Sequence, residues 1–191
     1  MYKRQFLACA KNGIIWSSCS PDFGVQGVVD RFKQIEPKVL ITSDYYFYNG
    51  KKINILDKVD EVIKQIPSIE KVIVYNYYKK EKENLKNFID FEEALNIESD
   101  ETFERFEFNH PIYILFSSGT TGKPKCITHG TGNVLIEHNK EFMLHCDIRD
   151  NEKLFYYTTT GWMMWNWLVG GLFTGSSIFL FDGAPVYPKI D

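Results

Sequence analysis

Two stretches carry most of the chemistry that side chains could do. The first is Ser117-Ser118-Gly119-Thr120-Thr121-Gly122-Lys123-Pro124-Lys125, in which hydroxyls, glycines and lysines fall close together. Glycines let a backbone approach a ligand and turn its N–H groups outward. Hydroxyls and amides bond phosphate oxygens, and lysine adds a point charge. The stretch therefore reads as a phosphate-holding loop, with a Gly/Ser/Thr-rich surface turn as the alternative. It is not the common phosphate loop, which needs Gly, four residues and then Gly-Lys-Ser/Thr. Here the glycines are closer together and Pro124 follows Lys123.

The second stretch runs Tyr156-Tyr157-Thr158-Thr159-Thr160-Gly161-Trp162-Met163-Met164-Trp165-Asn166-Trp167. It reads as a strand end with three hydroxyls, a glycine and then a large, soft apolar wall. Residues at the carboxyl end of a strand commonly face the ligand in open α/β sheets. Met and Trp make an adaptable pocket, and equally make plain core. A third pattern, Cys126-x-x-His129 with His138, His145 and Cys146, holds enough ligands for zinc. It lacks paired-knuckle spacing, and no metal is assigned from it. Cys9, Cys19, Cys126 and Cys146 are read as reduced thiols.

Those stretches need elements to hold them. Pro111–Phe116 is a short apolar run and predicts a buried strand leading into the loop. A helix is expected from about Gly132 to Cys146, with Leu135, His138, Phe142 and His145 or Cys146 on one stripe. A helix entered from such a loop would aim its positive end at an anion. Leu154–Thr158 predicts a strand, Trp162–Phe173 a buried helix and Ser177–Phe181 a last strand.

Upstream, Phe6–Ala10 closes a helix before Asn12-Gly13, and Ile14–Ser18 predicts a strand. Ser20-Pro21-Asp22 opens a helix whose apolar face is Val25, Val28, Val29, Phe32 and Ile35, ended by Pro37. Val39–Thr42 and Val72–Tyr75 predict strands, Ile55–Ile66 a helix, and Tyr45–Lys52 an aromatic and basic loop around Asn49-Gly50. Between Lys79 and Glu107 acids outnumber bases two to one, with a short helix around Phe91, Ala94 and Leu95. That segment reads as a solvated edge. Alternating short strands and helices argue an α/β fold, a mostly parallel sheet with helices on both faces.

The chain has 191 residues, 44% hydrophobic and 16% aromatic, and a net charge of −3. This is a globular composition with no reason to expect nucleic acid as a partner. No apolar run approaches a membrane span. The absence of a targeting signal favours a cytoplasmic location.

The order Ser-Ser-Gly-Thr-Thr-Gly-Lys-Pro-Lys at 117–125 resembles the signature of the adenylate-forming, AMP-binding enzymes. Thr158–Asn166, Trp16–Gly24, Asp30–Phe32 and Asp182–Pro188 resemble, more narrowly, acetoacetyl-CoA synthetases. The resemblance runs from about Phe6 to Pro188 and is weakest across 79–107. It implies an internal fragment, 1–191, of the AMP-binding large domain of a longer enzyme. Residues 6–78 would be a first α/β portion, 79–110 an acidic connection and 111–188 the phosphate-loop and acyl-pocket portion.

The resemblance implies an ATP-dependent acid–thiol ligase. Acetoacetate would be joined to ATP as an acyl-adenylate with release of pyrophosphate. Coenzyme A would then displace AMP, giving acetoacetyl-CoA. Ser117, Ser118, Gly119, Thr120, Thr121, Gly122, Lys123 and Lys125 would bind the nucleotide, and Mg²⁺ would offset its charge. Trp162, Met163, Met164 and Asn166 would shape the acyl pocket, with Asn166 donating to the keto oxygen. Lys51 would contact coenzyme A, although Tyr48 stands where these enzymes usually carry arginine. The metal ligand and the catalytic lysine of the C-terminal domain would lie outside this chain, so the fragment alone is expected to be inactive. The alternatives are a fragment of an acetyl- or propionyl-CoA synthetase, against which Met163-Met164 speaks, and a non-catalytic AMP-binding module.

Overall fold

The computed structural model describes residues 2–78, 88–98, 102–117 and 122–189. The chain forms two compact units, residues 1–20 with 101–181, and residues 21–100 with 182–191. In order, the elements are α1 (Tyr2–Lys11), α2 (Val25–Phe32), β1 (Val39–Ser43), β2 (Tyr45–Tyr48), β3 (Lys51–Asn54), α3 (Leu56–Gln65), β4 (Lys71–Tyr75), β5 (Phe88–Asp90) and α4 (Phe91–Leu95). They continue with β6 (Pro111–Phe116), β7 (Cys126–Gly130), α5 (Thr131–Lys140), a π-helical turn (Glu141–His145), β8 (Lys153–Phe155), α6 (Met163–Gly170), a 3₁₀ turn (Gly171–Thr174) and β9 (Ser177–Phe179). The expected α/β class holds.

The unit built around residues 21–100 centres on a parallel sheet in the order β1-β4-β5. Its strands are short and β-branched, and Val72 and Val74 of β4 are buried at 1% and 0% exposure. Helix α3 places Leu56, Val59 and Val62 on one buried stripe at helical spacing, continued by Ile66. Helix α2 begins at Val25 behind Gly24, not at Ser20-Pro21-Asp22 as the sequence predicts, and it stops at Phe32. Gly24 is extended and its chain offers no capping side chain, so the helix starts where the apolar face does.

The expected aromatic and basic loop at 45–52 is instead the antiparallel hairpin β2–β3. Asn49 and Gly50 both have positive φ, 49° and 69°, which is the tight-turn geometry that an Asn-Gly pair favours. The short helix expected in the acidic segment is α4, capped by the Asp90 carboxylate accepting from the Glu92 N–H at 2.8 Å. Strand β5, directly before it, has no counterpart in the sequence reading.

In the other unit, α1 ends as expected at Asn12-Gly13, with Gly13 at φ 64°. The strand predicted over Ile14–Ser18 shrinks to a single parallel bridge between Trp16 and Tyr113. The Trp16 N–H donates to Ile112 O at 3.0 Å, and Ile114 N–H donates to Trp16 O at 2.9 Å. Beside it Ser17 Oγ donates to Ile114 O at 2.8 Å. Around that bridge Phe6, Trp16, Tyr113 and Trp165 form one aromatic cluster, with ring centroids 5.8–6.4 Å apart between Phe6 or Trp16 and their neighbours.

Beyond the Ser117–Lys125 stretch the structure departs further from expectation. A strand, β7, comes before any helix and pairs antiparallel with β6 from Phe116↔Cys126 back to Pro111↔Gly130. Helix α5 therefore starts at the far end of the hairpin, about 15 Å of strand away from the loop. Its N-terminal dipole does not serve the loop, contrary to expectation. The predicted stripe is also broken. Phe142 is fully buried, but Leu135 and Cys146 are exposed. The π-helical turn inserts a residue and rotates the register after Lys140. Strands β8 and β9 pair in parallel, and Phe142, Leu154 and Leu168 form a buried cluster beside Ile148, Trp167 and Ile178.

Candidate functional site

The hairpin β6–β7 presents the Ser/Thr/Gly/Lys stretch at its tip. Ser117 closes the tip twice. Its N–H donates to Lys125 O at 3.0 Å, and its Oγ accepts from the Lys125 N–H at 3.1 Å. Lys123, Lys125 and Gly122 are exposed. Ser118, Gly119, Thr120 and Thr121 lie outside the described residues. At the base of β6, Tyr113 is 1% exposed, and burial pushes its phenol up to about 12. Its ring lies 4.9 Å from that of His129 on β7, whose pKa burial lowers. The hairpin is thus anchored in the core at one end and exposes Gly122, Lys123 and Lys125 at the other.

The second stretch lies in the same unit and is held by the Ser18–Ser20 segment. Ser18 Oγ donates to Thr160 O at 2.5 Å, and Thr160 Oγ1 donates to Cys19 O at 3.3 Å. Gly161 is required there, because a Cβ at that position would stand 2.7 Å from Ser20 N. The hydroxyl of Thr159 is buried without a hydrogen-bond partner. The Trp162 N–H donates to Thr159 O at 3.1 Å, and α6 begins at Met163.

From there the side chains divide. Trp162 and Met163 are exposed at 60% and 48%, and Met164 is half-buried. Trp165 belongs to the aromatic core, which the plain-core alternative anticipates for that residue. Asn166 is the anomaly. It is 1% exposed, and among the described residues neither its amide nitrogen nor its amide oxygen has a partner. A buried amide in that state costs about 1–3 kcal/mol per lost bond. It stands one helical turn before Gly170, whose Cα faces His138 of α5. Burial lowers the His138 pKa, and His129 lowers it further, against opposing pulls from Glu137 and Glu141.

Lys51 lies in the other unit, exposed on β3 beside the Asn49–Gly50 turn. Its neighbour Lys52 rests on tyrosine faces, 3.8 Å from the Tyr78 centroid and 5.1 Å from that of Tyr45. Among the described residues no group of three or more His, Cys, Asp or Glu side chains is arranged to hold a metal, and the Cys126/His129/His138 pattern does not converge. Mg²⁺ prefers carboxylate and phosphate oxygens. The described part of this chain therefore gives it no built site. Among the described residues no helix is long and apolar enough to cross a membrane.

A two-stranded hairpin with Gly122, Lys123 and Lys125 exposed at its tip, in one unit with a segment that leads into an apolar helix, defines a class. The family model of AMP-binding enzymes matches residues 5–190, and the chain belongs to that family. Within it, the chain is similar to acetoacetyl-CoA synthetases. It is 49% identical to the acetoacetyl-coenzyme A synthetase of Rhizobium meliloti (strain 1021), over 95% of this chain and 28% of that protein. It is 46% identical to the acetoacetyl-CoA synthetase of Gallus gallus, over 96% of this chain and 29% of that protein. The solved acetoacetyl-CoA synthetase from Streptomyces lividans superposes with a TM-score of 0.93 at 42% identity, covering 98% of this chain and 29% of that one. The chain thus spans under a third of the length of the relatives it matches.

Sequence reasoning missed two features of this site. The π-turn leaves no signal in the residue pattern. The weld of Ser18 and Cys19 to Thr160 had one available sign, the small residues Ser17, Ser18 and Gly161, which permit backbones to approach.

Proposed function

We propose that this chain is the phosphate-loop and acyl-pocket part of an ATP-dependent acid–thiol ligase acting on acetoacetate. The observation that carries the reading is the Ser117–Lys125 stretch at the tip of a core-anchored hairpin, in a chain of this family. A ligase of this kind joins two anions, a carboxylate and a triphosphate. Exposed lysines at a hairpin tip offset that repulsion and hold the departing pyrophosphate. Lys123 and Lys125 supply charge. Ser117 fixes the spacing of the tip, Gly122 stands beside the lysines, and Ser118, Gly119, Thr120 and Thr121 complete the nucleotide-binding stretch in sequence. The carboxylate oxygen attacks the α-phosphorus, and the P–O bond to pyrophosphate breaks. The thiol sulfur of coenzyme A then attacks the acyl carbon, its proton is lost to solvent, and AMP leaves. Lys51 contributes charge for a phosphate of coenzyme A.

The acyl group lies against Trp162, Met163 and Met164, and Asn166 serves as its polar anchor. Its two unpartnered amide atoms have the donor that a 3-oxo group needs and butyrate lacks a partner for. A site built to bond a polar group discriminates strongly against an analogue without it. In the intact parent polypeptide, Asn166→Ala should cut the preference for acetoacetate over butyrate at least tenfold in kcat/KM, by the order of one buried hydrogen bond. An unchanged preference removes Asn166 from the pocket. Replacing Lys123 and Lys125 together by Ala should abolish acetoacetate-dependent ATP–pyrophosphate exchange, and full exchange in that variant overturns the whole reading.

A further inference from the structure

At the carboxyl end of β1 the chain buries a carboxylate. Asp44 is 2% exposed. Its Oδ1 accepts from the N–H groups of Tyr45 and Tyr77, each at 2.8 Å. The Tyr78 N–H reaches both oxygens, at 3.0 Å to Oδ2 and 3.3 Å to Oδ1. The backbone of Asp44 is engaged as well. Its N–H donates to Tyr75 O at 3.1 Å, and its carbonyl accepts from Ile55 N–H at 3.0 Å. One residue thereby ties together the exit of β4, the entry of β2 and the residue just after β3. Charge-assisted bonds to backbone amides are about twice as strong as neutral ones, and converging amides offset a buried charge locally.

What these bonds position is the hairpin. The tyrosines whose amides Asp44 holds are also those whose rings line the hairpin face. Tyr45 meets Tyr78 edge to face at 5.4 Å, and Phe47 meets Tyr77 and Tyr78 at 5.6 and 6.1 Å. Lys52 lies over Tyr45 and Tyr78. Lys51 is carried one residue away at the turn. A side chain at a hairpin tip can meet an anion at a defined place only if the hairpin itself is fixed. Here the fixing is done from below, by a buried carboxylate.

We propose that Asp44 is the positioning residue of the coenzyme A hairpin. It acts through the amides of Tyr45, Tyr77 and Tyr78 to set where Lys51 stands. The proposal rests on the reading of Lys51 as a phosphate contact. A purely structural role would lower every activity together with stability; a positioning role shows itself in the second half-reaction alone.

The two half-reactions separate cleanly in the intact parent polypeptide. Acetoacetate-dependent ATP–pyrophosphate exchange needs no coenzyme A, whereas thioester formation does. Asp44→Asn should raise the KM for coenzyme A on the order of tenfold, the loss of one charge-assisted bond's worth of alignment. Exchange, and kcat at saturating coenzyme A, should stay within about twofold. Gly50→Ala is a second variant that leaves the buried residue alone. Gly50 has φ 69°, a backbone conformation that a residue with a Cβ rarely adopts, so alanine there strains the turn that carries Lys51. It should raise the same KM, including in the case where Asp44→Asn does not fold. An Asp44→Asn enzyme with normal coenzyme A KM, beside a Lys51→Ala enzyme with a raised one, overturns the proposal and leaves the coenzyme A reading standing. Exchange and thioester formation falling together in Asp44→Asn, or a normal KM in Gly50→Ala, overturns it too. A normal KM in Lys51→Ala refutes the underlying reading instead.

Discussion

Gly161→Ala should uncouple the segment leading into α6 from the turn that holds it. The added Cβ would stand 2.7 Å from Ser20 N and 3.3 Å from Cys19 C, closer than backbone atoms allow. Neither neighbour is the end of a flexible side chain, so the Thr160–Gly161 backbone must shift. Overpacking of this kind costs about 1–3 kcal/mol. The shift also endangers the bonds from Ser18 Oγ to Thr160 O and from Thr160 Oγ1 to Cys19 O, each worth about 0.5–1.5 kcal/mol. The sum is about 2–6 kcal/mol, or a fall of about 1–3 M in the urea midpoint at a slope near 2 kcal/mol per M. The assay is tryptophan fluorescence of the 191-residue chain, because all four tryptophans, at 16, 162, 165 and 167, belong to the unit that contains Gly161. Gly122→Ala is the control in that unit, since no described residue lies within 4 Å of its added Cβ. Its stability should stay within about 0.5 kcal/mol of the parent chain. A Gly161→Ala chain as stable as the Gly122→Ala chain would refute the close-approach argument.

Phe142→Ala should cost about 3–5 kcal/mol in the same fluorescence titration, because the ring is fully buried among Leu154, Leu168 and Trp167. Gly27→Ala, in the middle of α2 with only ordinary contacts around its Cβ, should raise stability by about 0.5–1 kcal/mol when followed by circular dichroism. Burial depresses the folded-state pKa of His138 and of His129, so the unfolded chain binds the extra protons. Their contribution is complete above the unfolded value near 6.5 and is lost as pH falls below it. Acid melts of His138→Gln should therefore show a shallower loss of stability between about pH 6.5 and 5 than the parent chain.

The elements that the sequence revealed are those with an apolar signature of the right period. Strands β1, β4 and β6 are short β-branched or aromatic runs, and α3 repeats its apolar residues every three or four positions. Strand β7 escaped notice because Cys126, Ile127 and Thr128 are exposed, which leaves no alternation to read. The β2–β3 pair was hidden by its composition of tyrosines and lysines, although Asn49-Gly50 marked the turn between them. Residue identity alone marks the tip lysines and Trp162–Met164 as candidates, and the structure places Lys123, Lys125, Trp162 and Met163 at the surface. The site was not legible where long-range pairing decides. Nothing local says that Thr160 and Cys19, distant in sequence, share hydrogen bonds, nor that Asn166 ends up enclosed.

The turn after α5 carries a spare residue. Its closing bond runs from Cys146 N–H to Glu141 O, one step longer than an α-helical bond, and Leu144 within it is 76% exposed. Removing Leu144 would let the same donor and acceptor close an ordinary helical turn, with Phe142 left where it is. Chain length at this point is thus held loosely, and a homologous chain shorter by one residue here could keep an identical core.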